Sequence, residues 1–196
     1  MLSDQRTSAK KRLIWATRIL LHERGYEATS PRAILKLSGA GQGSLYHHFE
    51  GKRDLAIAVL REVEAEKTAR AADVLRSELA PLARVEAYFR LERDALKGCP
   101  LGRHTSEGIM EDEALREPVT NHFNFVKCEL ARAVREAQQV GDLRGDLDSE
   151  ELATTLFATL QGSYVLARAF QDAEALDHAL SGALALLQVA RAQSMP

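Results

Sequence analysis

Gln42, Ser44, Tyr46, His47 and His48 crowd into one short run, and Leu45 and Phe49 stand four positions apart within it. If the run is helical, Leu45 and Phe49 turn inward together while Tyr46 and His47 face out. A two-turn helix of that kind fits a DNA major groove about 12 Å wide. There Gln42 and Ser44 can bond base edges, while Tyr46, His47 and Lys52 reach phosphates. Gly43 lets the backbone approach DNA where a side chain would interfere. Lys52 opens the following helix and brings a cation and free amides to the adjacent phosphate strand. A metal site at His47 and His48 is disfavoured, because neighbouring residues on a helix point apart.

The elements that must position these groups read as helical throughout. Ala, Leu, Arg and Glu dominate, apolar residues recur every three or four positions, and alternating β-branched runs are nearly absent. A first helix is expected from Thr7 to Arg24, with Leu13, Ala16, Thr17, Leu20 and Leu21 on its buried stripe and Gly25 ending it. Ser30 as N-cap and Pro31 at the first helical position start a second helix that reaches Leu37. A glycine-rich turn over Ser38 to Gly43 leads to a third helix from Ser44 to Phe49, giving a helix-turn-helix. A long helix from Lys52 to Leu79 stops at Pro81. Further helices are expected near 82–97, 101–110, 115–140, 149–170 and 173–192. Breaks fall at Gly98-Cys99-Pro100, Pro118, Gly141 to Gly145 and Gln171-Asp172.

Charge divides the chain unevenly. Residues 1–53 hold ten Lys/Arg and four acids, a net +6, whereas the remainder holds 16 basic and 24 acidic residues, a net −8. A basic head on an acidic body implies that only the head meets a polyanion. The expected division is a DNA-binding domain over 1–53 and a helical ligand-binding and dimerisation domain over 54–196. No apolar run approaches the roughly 20 residues of a membrane span, and no secretory signal is visible, so the cytoplasm is the default location. Cys99 and Cys128 lack metal-ligand spacing, and neither a metal nor a cofactor is expected. Gly39-x-Gly41-x-Gly43 has neither a preceding strand nor the spacing of a dinucleotide loop. With no catalytic constellation in view, an enzyme is not expected.

The run from Gly25-Tyr26-Glu27-Ala28-Thr29-Ser30 through Gly43-Ser44-Leu45-Tyr46-His47-His48-Phe49 to Lys52-Arg53-Asp54-Leu55 resembles the tetracycline-repressor (TetR) family. The resemblance implies a subunit of about nine helices, with an N-terminal three-helix reader and a variable C-terminal ligand-binding domain. It also implies a homodimeric repressor on palindromic double-stranded operator DNA, released by a small-molecule inducer. Carried over position by position, Thr29 and Ser30 resemble phosphate contacts. Gln42, Gly43 and Ser44 resemble groove-facing positions, Tyr46 and His47 contacts to phosphate or base, and Lys52 a backbone anchor. Gly41 stands where many members place a Ser or Thr cap. Gly98-Cys99-Pro100-Leu101-Gly102 is similar to a GCPLG segment of one subgroup.

In the body, Leu152, Leu156, Leu160, Ser163 and Ala167 follow helical steps, as do Leu180, Ala183, Leu184 and Leu187. Under the resemblance these pair across two subunits in a four-helix interface; otherwise they pack within one chain. Tyr88, Phe89, Ile109, Met110, Phe123, Phe157 and Tyr164 are candidates to line a ligand cavity, with His104, His122 and Gln161 supplying polar groups. Cys99 is either a small buried residue at a helix break or a sensor of electrophiles and oxidants, its thiolate favoured by a helix N-terminus after it. Two alternatives to a ligand-released repressor follow: a regulator acting through Cys99, and a helical ligand-binding protein that has lost DNA recognition.

Overall fold

Eight α-helices occur among the described residues, 8–191 of the computed structural model. They are α1 Ala9–Arg24, α2 Pro31–Ser38, α3 Gln42–His48, α4 Lys52–Leu75, α5 Pro81–Phe89, α6 Glu113–Gln139, α7 Ser149–Phe170 and α8 Glu174–Val189. One-turn 3-10 helices lie at Gly102–Ser106 and Gly108–Glu111. The described residues contain no β-strand, only a bridge between Leu143 and Arg191. The all-α expectation therefore holds, with eight α-helices in place of about nine. The expected helix start at Thr7 lies outside the described residues, as does residue 192; α8 closes at Val189.

The chain divides into two compact units. One holds the chain up to Ala65 together with Pro100–Thr120; the other holds Glu66–Cys99 and the chain from Asn121 onward. In the first unit, Ser8 caps α1 by accepting the Lys11 amide at 3.3 Å. The five apolar-stripe residues expected from sequence, Leu13, Ala16, Thr17, Leu20 and Leu21, are those buried along α1. In the second unit a continuous core gathers Leu75, Leu82, Val85, Phe89, Leu130, Val134, Leu156, Leu160, Leu180 and Leu187. Asp148 caps α7 by accepting the Glu150 and Glu151 amides at 2.9 Å each.

Four boundaries depart from expectation for identifiable reasons. The helix from Lys52 ends at Leu75, where the Ser77 hydroxyl takes the Val74 carbonyl at 2.8 Å. The helix expected to reach 97 ends at Phe89, because Arg93 folds back onto the carbonyls of Tyr88 at 2.6 Å and Phe89 at 3.0 Å. Residues 101–110 form 3-10 turns, with Glu107 extended between them and the Thr105 hydroxyl on the Gly102 carbonyl. Pro118 lies inside α6 without breaking it. Its ring removes one amide donor, and Thr120 covers nearby carbonyls of Arg116 and Glu117 with its hydroxyl.

Candidate nucleic-acid interface

Two capped helices meet at a tight turn in the first unit. Ser30 accepts the Ala33 amide at 3.2 Å with Pro31 opening α2, and Gly39 closes it in left-handed geometry at φ 63°. Gly41 then starts α3 with no side-chain bond, a loss of only about a few tenths of a kcal/mol relative to a Ser or Thr cap. Leu45 and Phe49 are buried, and Tyr46 is 57% exposed. Gln42, Gly43, His47 and His48 share that exposure, while Ser44 is half-buried. A Cβ at Gly43 would meet open space, so nothing within the chain demands glycine there.

Thr29 is a correction. Its side chain is fully buried and its hydroxyl donates to the Gly25 carbonyl at 2.6 Å, so it closes the α1–α2 corner and does not face solvent. Ser30 remains exposed beside it. Lys52 is also not a simple outward cation. Its Nζ lies 3.9 Å from the centroid of the Tyr26 ring, and desolvation lowers its pKa against the raising effect of Glu107 and Glu27. The ammonium therefore braces Tyr26, and the first-turn amides of α4 are what it leaves free to face an anion. Arg32 and Lys36, not singled out from the sequence, are exposed one turn apart on α2. Their four-residue spacing on a helix whose other face holds Ile34 and Ser38 was the available signal.

Residues 13–59 match the family described as "Bacterial regulatory proteins, tetR family", and residues 79–183, more than half of the chain, match "Tetracyclin repressor-like, C-terminal domain". The chain belongs to the tetracycline-repressor family. It is 31% identical over 159 residues to the transcriptional regulator AcuR of Cereibacter sphaeroides, covering 76% of this chain and 71% of AcuR. It is 26% identical to the transcriptional repressor DhaR of a Mycobacterium species, over 90% of each chain. A crystal structure of a regulatory protein TetR from Rhodobacter sphaeroides superposes with a TM-score of 0.80 at 25% identity, covering 91% of this chain and 98% of that one. This TetR-family member is thus a helix-turn-helix transcriptional regulator. No helix among its described residues is long and apolar enough to cross a membrane.

In the second unit of the TetR-family chain, the leucine stripes follow the second of their two expected readings and pack within one chain. Leu156, Leu160, Ser163 and Ala167 on α7 and Leu180, Ala183 and Leu187 on α8 are buried within one protomer. They pack inside the chain and leave no surface for a partner; Leu152 and Leu184 are half-buried. The outward faces instead carry Val165 at 67%, Phe170 at 68%, Leu186 at 73% and Val189 at 80% exposure.

The ligand candidates separate into two groups. His104, Ile109 and Met110 belong to the first unit, where fully buried His104 bonds Glu107 at 2.6 Å. Tyr88, Phe89, Cys99, His122, Phe123, Phe157, Gln161 and Tyr164 belong to the second. Tyr88, Phe89 and Phe157 are core residues there, and the Phe123 and Phe157 rings meet edge-on at 5.0 Å. Tyr88 and Tyr164 share Arg93 and Cys99 as electrostatic neighbours; burial pushes the Tyr88 phenol up to about 12 and Tyr164 higher still. Half-buried Cys99 is followed by a short 3-10 helix, Gly102–Ser106. An open hollow of about 420 Å³ is lined by Phe89–Leu96 with Ala173, Leu176 and Asp177, and thus includes only Phe89 of the sequence candidates.

His122 supplies a pH prediction. Its Nδ1 lies 3.0 Å from the Thr68 hydroxyl, and burial lowers its pKa from 6.5 to about 4, with Lys67 adding to the shift. Between those values the unfolded chain binds the proton that the folded chain refuses, so stability falls as pH drops from 6.5 towards 4. The full effect is on the order of 3 kcal/mol. Urea titrations from pH 7 to pH 4 should show native protein losing more stability than His122→Asn; parallel curves would contradict this account.

Proposed function

We propose that this TetR-family regulator represses transcription by placing two copies of α3 in successive major grooves of a palindromic operator, and that a small molecule releases it. The exposed face of α3, with Gln42 and Tyr46 outward and an unconstrained Gly43 between them, carries the reading. Gln42 and Ser44 read base edges; Tyr46, His47, Ser30 and the α4 amides at Lys52 hold phosphates, joined by Arg32, Lys36 and His48. The similarity to DhaR, a named repressor, favours repression over activation. Residues 1–53 form the DNA-binding part and 54–196 the ligand-binding and dimerisation part, although Pro100–Thr120 packs in the first compact unit.

The homodimer interface uses the outward apolar faces of α7 and α8, extended by half-buried Leu152 and Leu184. The ligand binds in the second unit near Phe123, Gln161, Tyr164 and Cys99. A ligand acts only by preferring the DNA-free arrangement, so operator DNA must weaken ligand binding by the same factor. Work on chromosomal DNA places the protein in the cytoplasm.

The test is binding to the promoter region beside its own gene. Native protein should protect a two-fold site with affinity that falls steeply with salt, as counterion release requires. The double substitution Gln42→Ala/Tyr46→Ala should lower that affinity by about 2 to 4 kcal/mol, roughly 30- to 1000-fold, without changing the oligomeric state. Unchanged affinity would remove α3 from the interface.

A further inference from the structure

Within the first unit, the segment from Arg103 to Asp112 reaches elements on both sides of α3. The Glu107 carboxylate accepts the Tyr26 amide at 3.1 Å through each oxygen and the His104 Nδ1 at 2.6 Å. The Gly108 amide donates to Glu27 Oε1 at 2.9 Å, and Arg103 donates to the His22 carbonyl. Arg53 grips Asp112 with two bonds of 2.5 and 2.7 Å. Tyr26 turns the corner between α1 and α2, and its ring holds the Lys52 ammonium at the head of α4. One acidic side chain from position 107 thus fixes the corner before the reader and, through Tyr26, the helix after it.

Satisfying one amide does not explain this acid, since water could do the same at a half-buried corner. A carboxylate here also weakens the positive field of a head that must meet phosphate. What a carboxylate adds is a rigid, two-oxygen grip strengthened by charge. We propose that Glu107 is a positioning residue for DNA reading: it holds Tyr26, and through it Lys52, so that α3 keeps the attitude at which both half-sites are read. The proposal rests on the DNA-reading function proposed above.

The test begins with native protein selecting its site from random 30-base-pair duplexes. Affinity for the selected duplex and for a scrambled one is then measured for native protein, Glu107→Ala, Glu107→Asp and Glu107→Gln, with melting temperatures alongside. Glu107→Gln keeps the reach and one acceptor for Tyr26 but gives up the charge and the second oxygen, so it should bind the selected duplex about threefold more weakly than native. Glu107→Asp keeps the charge but loses the reach. It should bind the selected duplex roughly tenfold more weakly, as should Glu107→Ala, a size in keeping with positional coupling. Affinity for the scrambled duplex should not fall in any variant, and its salt slope should stay unchanged, because the same phosphates are neutralised. Equal weakening on both duplexes, or Glu107→Asp binding the selected site as well as Glu107→Gln, would overturn the proposal. If Glu107→Ala does not fold, the Asp and Gln comparison decides alone. A native protein that selects no sequence overturns the DNA-reading function itself.

Discussion

Leu186→Arg is expected to turn the dimer into monomers and to lower operator affinity by about 100-fold or more, the scale of lost bivalency. Leu186 is 73% exposed and stands one turn from Val189 at 80%, while α7 offers Val165 at 67%. Burying such a side chain contributes about 1.5–3 kcal/mol. In a two-fold interface every substitution counts twice, so one arginine places two unpaired charges in a closed apolar surface. Small residues beside this stripe, Gly162 and Gly182, leave open space within the protomer and admit a neighbouring helix. The loss of DNA affinity follows from geometry: two readers must span one helical turn of about 34 Å, and a monomer carries only one. Sedimentation at micromolar protein, with operator titration in parallel, checks both halves. A variant that stays dimeric places the interface elsewhere. As a control, Leu160→Ala changes a fully packed position; it should destabilise the protomer by about 2–5 kcal/mol without first dissociating it.

These faces mark where sequence reading succeeds and where it stops. Periodicity found α7 over its full length and placed Leu156, Leu160 and Leu187 on buried stripes. It could not say whether a stripe meets its own chain or a second copy, because both burials select the same residues. The helix-turn-helix was legible because its signals are local: Ser30 and Pro31 at a start, Gly25 and Gly39 at ends, Leu45 and Phe49 one turn apart. Thr29 was misassigned because a buried threonine and a phosphate contact look alike until the Gly25 carbonyl is seen beside its hydroxyl. Glu107 was illegible for a plainer reason. Its partner lies 81 positions away, and nothing near either residue announces the pairing.

Gly25→Ala is expected to be the most damaging single-methyl change in the first unit. Gly25 sits at φ 83°, ψ 176°, a region costly for any residue with a Cβ, and its amide still closes α1 on the Leu21 carbonyl at 3.0 Å. That strain alone costs about 1–3 kcal/mol. A Cβ would also overlap Glu107 Oε1, so the carboxylate must leave and the Tyr26 amide loses its acceptor. Losing a charge-assisted bond to a half-buried amide adds about 1.5–3 kcal/mol. Together these amount to roughly 2.5–6 kcal/mol, a large part of the 5–15 kcal/mol typical of a domain. The two causes separate in a double-mutant cycle. With Glu107→Ala in place the overlap is gone and only backbone strain remains, so Gly25→Ala should then cost about 1–3 kcal/mol. Chemical denaturation of the four proteins measures the difference. A cost for Gly25→Ala that is the same with and without Glu107 would mean that the carboxylate does not press on this corner, and the positioning role assigned to it would fall as well.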